Sequence, residues 1–144
     1  MAVTVSLFNH SAKRFADGSN LVTDFYKINL YSAFTFDATA TTLAAAQTGA
    51  TQLPNAFGYS QDFKLLTSVT VTQTGNDAAF DAADVTWTAT GGQIAAAHAL
   101  VYNVNDDGNP PLLYINFGET KTADDGTDFK IIWDAAGIVT FTVA

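Results

Sequence analysis

The 144-residue sequence contains no cysteine, and bases are scarce: six Lys+Arg stand against fourteen Asp+Glu, for a formal net charge of -8. The first absence removes disulfide scaffolds, thiolate metal sites and thiol nucleophiles together, and leaves the redox compartment open. The second makes phosphate backbones and anionic lipid poor partners, so neither nucleic acid nor membrane is expected to bind. Charged residues total only 14%, against about a quarter of an average globular domain. The acidity therefore reflects a shortage of bases, not an acidic tail, and Thr, Ser, Asn, Gln, Ala and Gly have to cover the surface. Long apolar runs are missing too. The most apolar late stretch, Ile94 to Val104, contains His98 and Asn103 and is far shorter than the roughly 20 residues that cross a bilayer. Met1 to Phe8 alternates and runs into Asn9, His10, Ser11, Lys13 and Arg14. That is a strand leading into a loop, without the basic start and apolar run of a secretory signal, and a soluble chain is expected.

What is present is alternation. Hydrophobic residues make up 48%, and a chain of this length buries roughly 68–70% of its unfolded surface, enough for one core without staples. A single domain over 1–144 is expected. Val3, Val5 and Leu7 alternate with Thr4, Ser6 and Phe8; Tyr26, Ile28 and Leu30 alternate with Phe25, Lys27 and Asn29. Thr67 to Gln73 and Asp84 to Thr90 set Val69 and Val71, and Val85, Trp87 and Ala89, against threonines, and read as the cleanest half-buried strands. Threonine suits that outer face, because its branched Cβ fits a pleated surface while its hydroxyl tolerates water. Ile94 to Asn103, Leu112 to Phe117, Phe129 to Trp133 and Ile138 to Val143 complete about eight to nine short strands, bounded by Gly- and Asp-rich turns. The pattern predicts an all-β fold, a mainly antiparallel sandwich of jelly-roll type. One stretch departs from it. Residues 37–62 hold the run Leu43-Ala44-Ala45-Ala46-Gln47, with Thr41 or Thr42 as a cap, followed by loop-like text. A short helical or loop excursion is predicted there.

Candidate chemistry is sparse. Asp106-Asp107-Gly108-Asn109 and Asp124-Asp125-Gly126-Thr127-Asp128 are oxygen-rich, but neither has the alternate ligands, sixth-position Gly and twelfth-position Glu of a calcium loop. They read as turns whose carboxylates cap backbone amides. His10 and His98 lie far apart in sequence with no helical partner, so no metal site is expected; His98, mid-strand among alanines, reads as a packed imidazole. No Gly-x-Ser-x-Gly elbow surrounds any serine, Glu119 has no evident carboxylate partner, and Gly91-Gly92 lacks a following Lys-Ser/Thr. No catalytic residue and no cofactor is assigned, and a binding or structural module is expected in place of an enzyme. Trp87 shares its parity with Val85 and reads as core. Phe8, Phe15, Phe34, Phe36 and Phe57 cluster near the N-terminus and the excursion, and are expected to contact partner subunits, since exposed aromatics anchor interfaces.

In the second half, Phe80-Asp81-Ala82-Ala83-Asp84-Val85-Thr86-Trp87-Thr88-Ala89-Thr90-Gly91-Gly92, Ala99-Leu100-Val101-Tyr102-Asn103, Pro111-Leu112-Leu113 and Ile115-Asn116-Phe117-Gly118 form a recognisable text. With the ending Ala123-Asp124-Asp125-Gly126-Thr127-Asp128-Phe129-Lys130-Ile131 and Gly137-Ile138-Val139-Thr140-Phe141, it resembles small virion-associated proteins of tailed bacteriophages. The likeness is strongest from Leu65 onward, is loose between Asp37 and Gln61, and departs at Gln93 to His98. It implies a particle component, either a capsid decoration (cement) protein or a tail, neck or fibre module binding a host receptor or glycan. A free-standing domain without heptads or fibre repeats favours cement. The expected partners are then the major capsid protein and further copies of the chain, as a trimer. The expected location is the outer surface of the capsid, after assembly in the host cytoplasm, with Phe8, Phe15, Phe34, Phe36 and Phe57 at shell or subunit contacts.

Overall fold

A computed structural model of the chain describes residues 2–143. The fold is all-β and antiparallel, with ten strands and two short helices among the described residues. Its main layer is a five-stranded sheet in the order β1-β8-β7-β2-β3, where β1 is Thr4–Leu7, β2 Tyr26–Ala33, β3 Thr51–Gln52, β7 Ile94–Asn103 and β8 Pro111–Ala123. Two smaller sheets cover one face of it. One has the order β10-β5-β4 and the other is β6-β9, from β4 Thr70–Thr74, β5 Asp77–Asp81, β6 Val85–Thr88, β9 Asp128–Ile131 and β10 Val139–Phe141. The result is sandwich-like with open sides.

Parity decides which side chains enter this core. Ile28 pairs with Val101 and Leu30 with Ala99, while Val101 pairs with Leu113 and Ala99 with Ile115, so these residues share one face. Against them pack Phe80, Val85, Trp87, Phe129, Ile131 and Val139 from the smaller sheets. Trp87 and its strand behave as the alternation predicts, with Val85, Trp87 and Ala89 buried and Thr88 and Thr90 exposed. The opposite face carries a second cluster of Phe8, Tyr31, Leu100 and Tyr114, roofed by Ala40, Ala46 and the half-buried Phe34, Phe36 and Leu43. That roof is the first part of the excursion at 37–62, with a one-turn helix α2, Leu43–Ala46, in which Thr42 Oγ1 accepts from the Ala45 amide at 3.2 Å.

Two expectations change. The residues after β1 form a helix, α1, Asn9–Ala16, where a loop is expected from sequence. Ser11 and Phe15 face inward, one helical turn apart: Ser11 Oγ donates to the Leu112 carbonyl at 2.8 Å, and the Phe15 ring meets Phe80 and Phe141 edge-on at 5.3 and 5.2 Å. About two turns with one polar and one apolar inward residue leave no apolar period to read. Strand β4 differs in burial: it is exposed along its whole length, Val71 included. Val71 pairs with Phe80 and so faces the same way, but β4 is the outermost strand of its sheet and nothing packs over it.

Candidate interaction surface

The five phenylalanines expected at contacts are dispersed by the fold. Phe8 is 1% exposed and meets Phe36 edge-on at 5.0 Å; it is a core residue and is withdrawn as a surface contact. Phe34 and Phe36 stack on Tyr114, with centroids 4.8 and 4.9 Å away at 24° and 11°, and keep only an edge at the surface. Thus Phe8, Phe34 and Phe36 come together, but as the second core cluster, while Phe15 belongs to the first. Phe57 stands apart at 48% exposure.

Phe57 and Gly58 form a two-residue turn closed by reciprocal bonds between Ala56 and Tyr59 at 3.1 and 3.0 Å. Both have positive φ, 55° and 88°, the type I′ pattern that prefers Asn-Gly. A Cβ on Gly58 would lie 2.1 Å from the Thr88 carbonyl oxygen, and one on Gly92 would lie 2.4 Å from the Phe57 ring. The Phe57 ring therefore occupies the space that a side chain at position 92 would fill.

A second apolar surface escaped the sequence reading. Residues 64–66 pair along β2: Lys27 bridges Leu65, the Ile28 amide donates to the Lys64 carbonyl at 3.0 Å, and the Leu66 amide to the Tyr26 carbonyl at 2.8 Å. Leu65 thus lies on the face of Lys27 and, by period 2, of Phe25, and Phe63 precedes it by two residues at the end of the adjoining turn. Phe63, Phe25 and Leu65 are 76%, 60% and 40% exposed. The signal was present: Phe25 shares the polar parity of Lys27 and Asn29, and Phe63 stands between Asp62 and Lys64. The segment is pinned from beneath. The Asp62 amide donates to Asn29 Oδ1 at 3.2 Å, and Asp62 Oδ1 accepts from Asn29 Nδ2 and, at 3.1 Å, from the Tyr102 hydroxyl. Asn29 is fully buried, so this polar pair is satisfied as interior polar groups must be.

Most basic side chains are committed to partners. Lys13 pairs with Asp17, Arg14 with Asp106, Lys121 with Glu119 and Lys130 with Asp128. Lys64 Nζ donates to the Thr86 carbonyl at 2.7 Å and lies 5.5 Å from the Trp87 ring centroid. Among the described residues, Lys27 alone of the six bases has no such partner; it bridges Leu65 and stands two residues from Phe25.

The remaining polar groups are used in packing. His98 Nδ1 lies 2.8 Å from the Tyr114 hydroxyl with the two rings stacked, and His10 Nε2 donates to the Pro111 carbonyl at 2.8 Å. Asp125 accepts from the Gly91 amide at 2.7 Å and Asp124 from Gln93 at 2.8 Å, so the second acidic loop ties down its neighbours. Among the described residues no three His, Cys, Asp or Glu side chains gather as metal ligands would. A groove of about 540 Å³ is an open trough on the outer face of the β10-β5-β4 sheet, lined by Thr72, Thr74, Thr140, Thr142, Asp77 and Asp81. Compared with family models, curated proteins and solved structures, the chain matches none.

Proposed function

We propose that this chain is a structural component of a bacteriophage particle, a decoration protein that binds the major capsid protein on the outer surface of the shell in many copies. The observation that carries this reading is the apolar patch of Phe25, Phe63 and Leu65 beside an uncommitted Lys27. Large aromatic side chains at such exposure are the anchors of protein interfaces, and a lone cation beside them suits an acidic side chain on the partner. The sequence likeness to virion-associated proteins supplies the kind of partner, and the -8 balance suits a site away from packaged DNA. The small uncharged side chains of the remaining surface lose little rotamer freedom on contact. Energy for shell stabilisation comes from repetition of a modest contact, not from any deep pocket.

The test is rebinding to stripped particles. The Phe25→Ser/Phe63→Ser double variant is expected to bind about ten- to a hundredfold more weakly with an unchanged melting temperature, since both side chains are exposed. Particles stripped of the protein should lose shell integrity at lower temperature than decorated ones. Unchanged shell stability would remove the decoration role, and labelling confined to tails would put a receptor- or glycan-binding tail module in its place.

A further inference from the structure

Strand β1 is an edge of the main sheet, bonded to β8 alone. Its register is Thr4 with Asn116, Val5 with Ile115, Ser6 with Tyr114 and Leu7 with Leu113, and the Phe8 amide donates to the Leu112 carbonyl. Antiparallel ladders alternate bonded and non-bonded positions. Thr4, Ser6 and Phe8 therefore turn their amide and carbonyl groups toward β8, while Val3, Val5 and Leu7 turn theirs out to the free edge. Those same three carry side chains on the core-side face, yet they are 54%, 52% and 40% exposed, because the covering layer stops short of β1. Val3 and Val5 form one wall of an open groove of about 280 Å³ whose other side includes Ile131, Ile132 and Ile138. Ile132 is 73% exposed. Natural edge strands are guarded by lysine, proline, a bulge or a covering loop; from Ala2 to Phe8 there is no charge and no proline.

We infer that β1 is a self-association edge at which two copies of this chain pair antiparallel about a twofold axis through Val5, joining their five-stranded sheets into one. The register is dictated by the outward groups. Pairing Val5 with Val5 of the second copy sets Val3 against its Leu7 and Leu7 against its Val3, so every residue with a free edge-facing amide and carbonyl meets another such residue. The core-side pairs are then all apolar and the opposite-face pairs are Thr4 with Ser6, both favourable cross-strand combinations. Ile132 from each copy closes over the joint. Charge points to the same occupant: copies of a -8 chain repel except where they meet on uncharged surface, and β1 carries no charged side chain. A joint of this length buries less than the roughly 800 Å² per partner of a standard interface, so the dimer is expected to depend on concentration. A twofold joint builds even-numbered assemblies, in place of the trimer that the family likeness implies. It stands independently of which surface the protein decorates.

Sedimentation velocity of the full chain between about 1 and 200 µM, spanning the weak-dimer range, tests it. The expected result is a shift from one-chain to two-chain mass with concentration, and a one-chain species throughout for Val5→Lys, at unchanged circular dichroism and melting temperature. Cysteine cross-linking reads the register, because the chain has no thiol of its own. Thr4 faces Ser6 of the second copy at a non-bonded position, about 4.5 Å between Cα atoms and within disulfide reach. A mixture of Thr4→Cys and Ser6→Cys chains should oxidise to the mixed dimer at least about tenfold faster than either variant alone dimerises. A single-chain mass at all concentrations, an oligomer that Val5→Lys leaves intact, or equal oxidation rates would each overturn the inference.

Discussion

The five tyrosines give the fold a sharp limit at high pH. All five are buried, and for each the loss of hydration raises the phenol above its ordinary value. Tyr31 is pushed up to about 12, its hydroxyl accepting from Gln47 Nε2 at 2.7 Å. Asp24 adds to the rise at Tyr26 and Asp62 to that at Tyr102; Tyr59 and Tyr114 move in the same direction. In the unfolded chain the same groups ionise near pH 10. A raised folded value means that the stabilisation is fully present below pH 10 and is lost as pH rises toward the folded values. Over that window each strongly shifted phenol removes about 1.4 kcal/mol per pH unit, and Tyr26, Tyr31 and Tyr102 together remove about 4 kcal/mol per unit. About 8 kcal/mol is therefore lost between pH 10 and 12, enough to exhaust a stability in the lower part of the usual range of about 5–15 kcal/mol. Phenolate absorbance and circular dichroism, followed in one titration, check this. The expected outcome is no phenolate signal near pH 10, then a single step in which all five ionise as the dichroism collapses. Ionisation of several phenols near pH 10 with native dichroism retained would refute the reasoning.

The remaining predictions concern single sites. Gly58→Ala puts a methyl group 2.1 Å from the Thr88 carbonyl oxygen, so backbone has to move; a loss of about 3 kcal/mol or more is expected, read as a melting temperature about 10 °C lower. Gly18→Ala is the control, with a similar positive φ and nothing within 4 Å, and should cost only about 1 kcal/mol. Burial lowers the His98 value below 6.5, so its neutral form is the one folded. The associated stability is present above pH 6.5 and falls as pH drops through the folded value. Denaturant midpoints of the native chain should decline on acidification over that range, and those of His98→Gln should not.

Alternation in the sequence assigns residues to the two faces of a strand but is silent about what covers each face. For β6 the distinction is immaterial: Val85, Trp87 and Ala89 lie over a complete second layer, and the parity reading and the structure coincide. In β7 the register shifts between Ala96 and His98, so Ile94 and Ala96 enter the same core as Ala99 and Val101, and no single parity describes the strand. At the margins the distinction matters. Val5 and Val71 have core parity and stay exposed, because β1 and β4 are the last strands of their sheets and the opposing layers end before reaching them. Phe8 has the outer parity of Thr4 and Ser6 and is buried, because residues 34–50 fold back over that face. Such coverage is a contact between segments tens of residues apart, which no local period encodes. The one-turn helix α2 was legible because its cap and alanine run are local. The contact patch was half legible, since Phe25 carries the wrong parity for core, but its union with Phe63 and Leu65 depends on pairing between β2 and residues 64–66.

The positions of the two apolar surfaces bear on how they act together. β1 closes one edge of the main sheet, and residues 64–66 extend β2 near the other, so self-association and the Phe25-Phe63-Leu65 contact draw on opposite edges and do not compete. In a dimer joined at β1, counting each copy's pairing segment beside β2, β7, β8 and β1, the two patches are separated by nine strand spacings. At about 4.8 Å per spacing that is roughly 43 Å. A repeating surface offering sites at that interval engages both patches, and the second binding event then proceeds at an effective concentration set by the rigid span. A Val5→Lys chain keeps its patch but loses that second event. Its retention on such a surface should fall by far more than its single-site affinity, whereas on isolated, non-repeating partner molecules it should match the native chain.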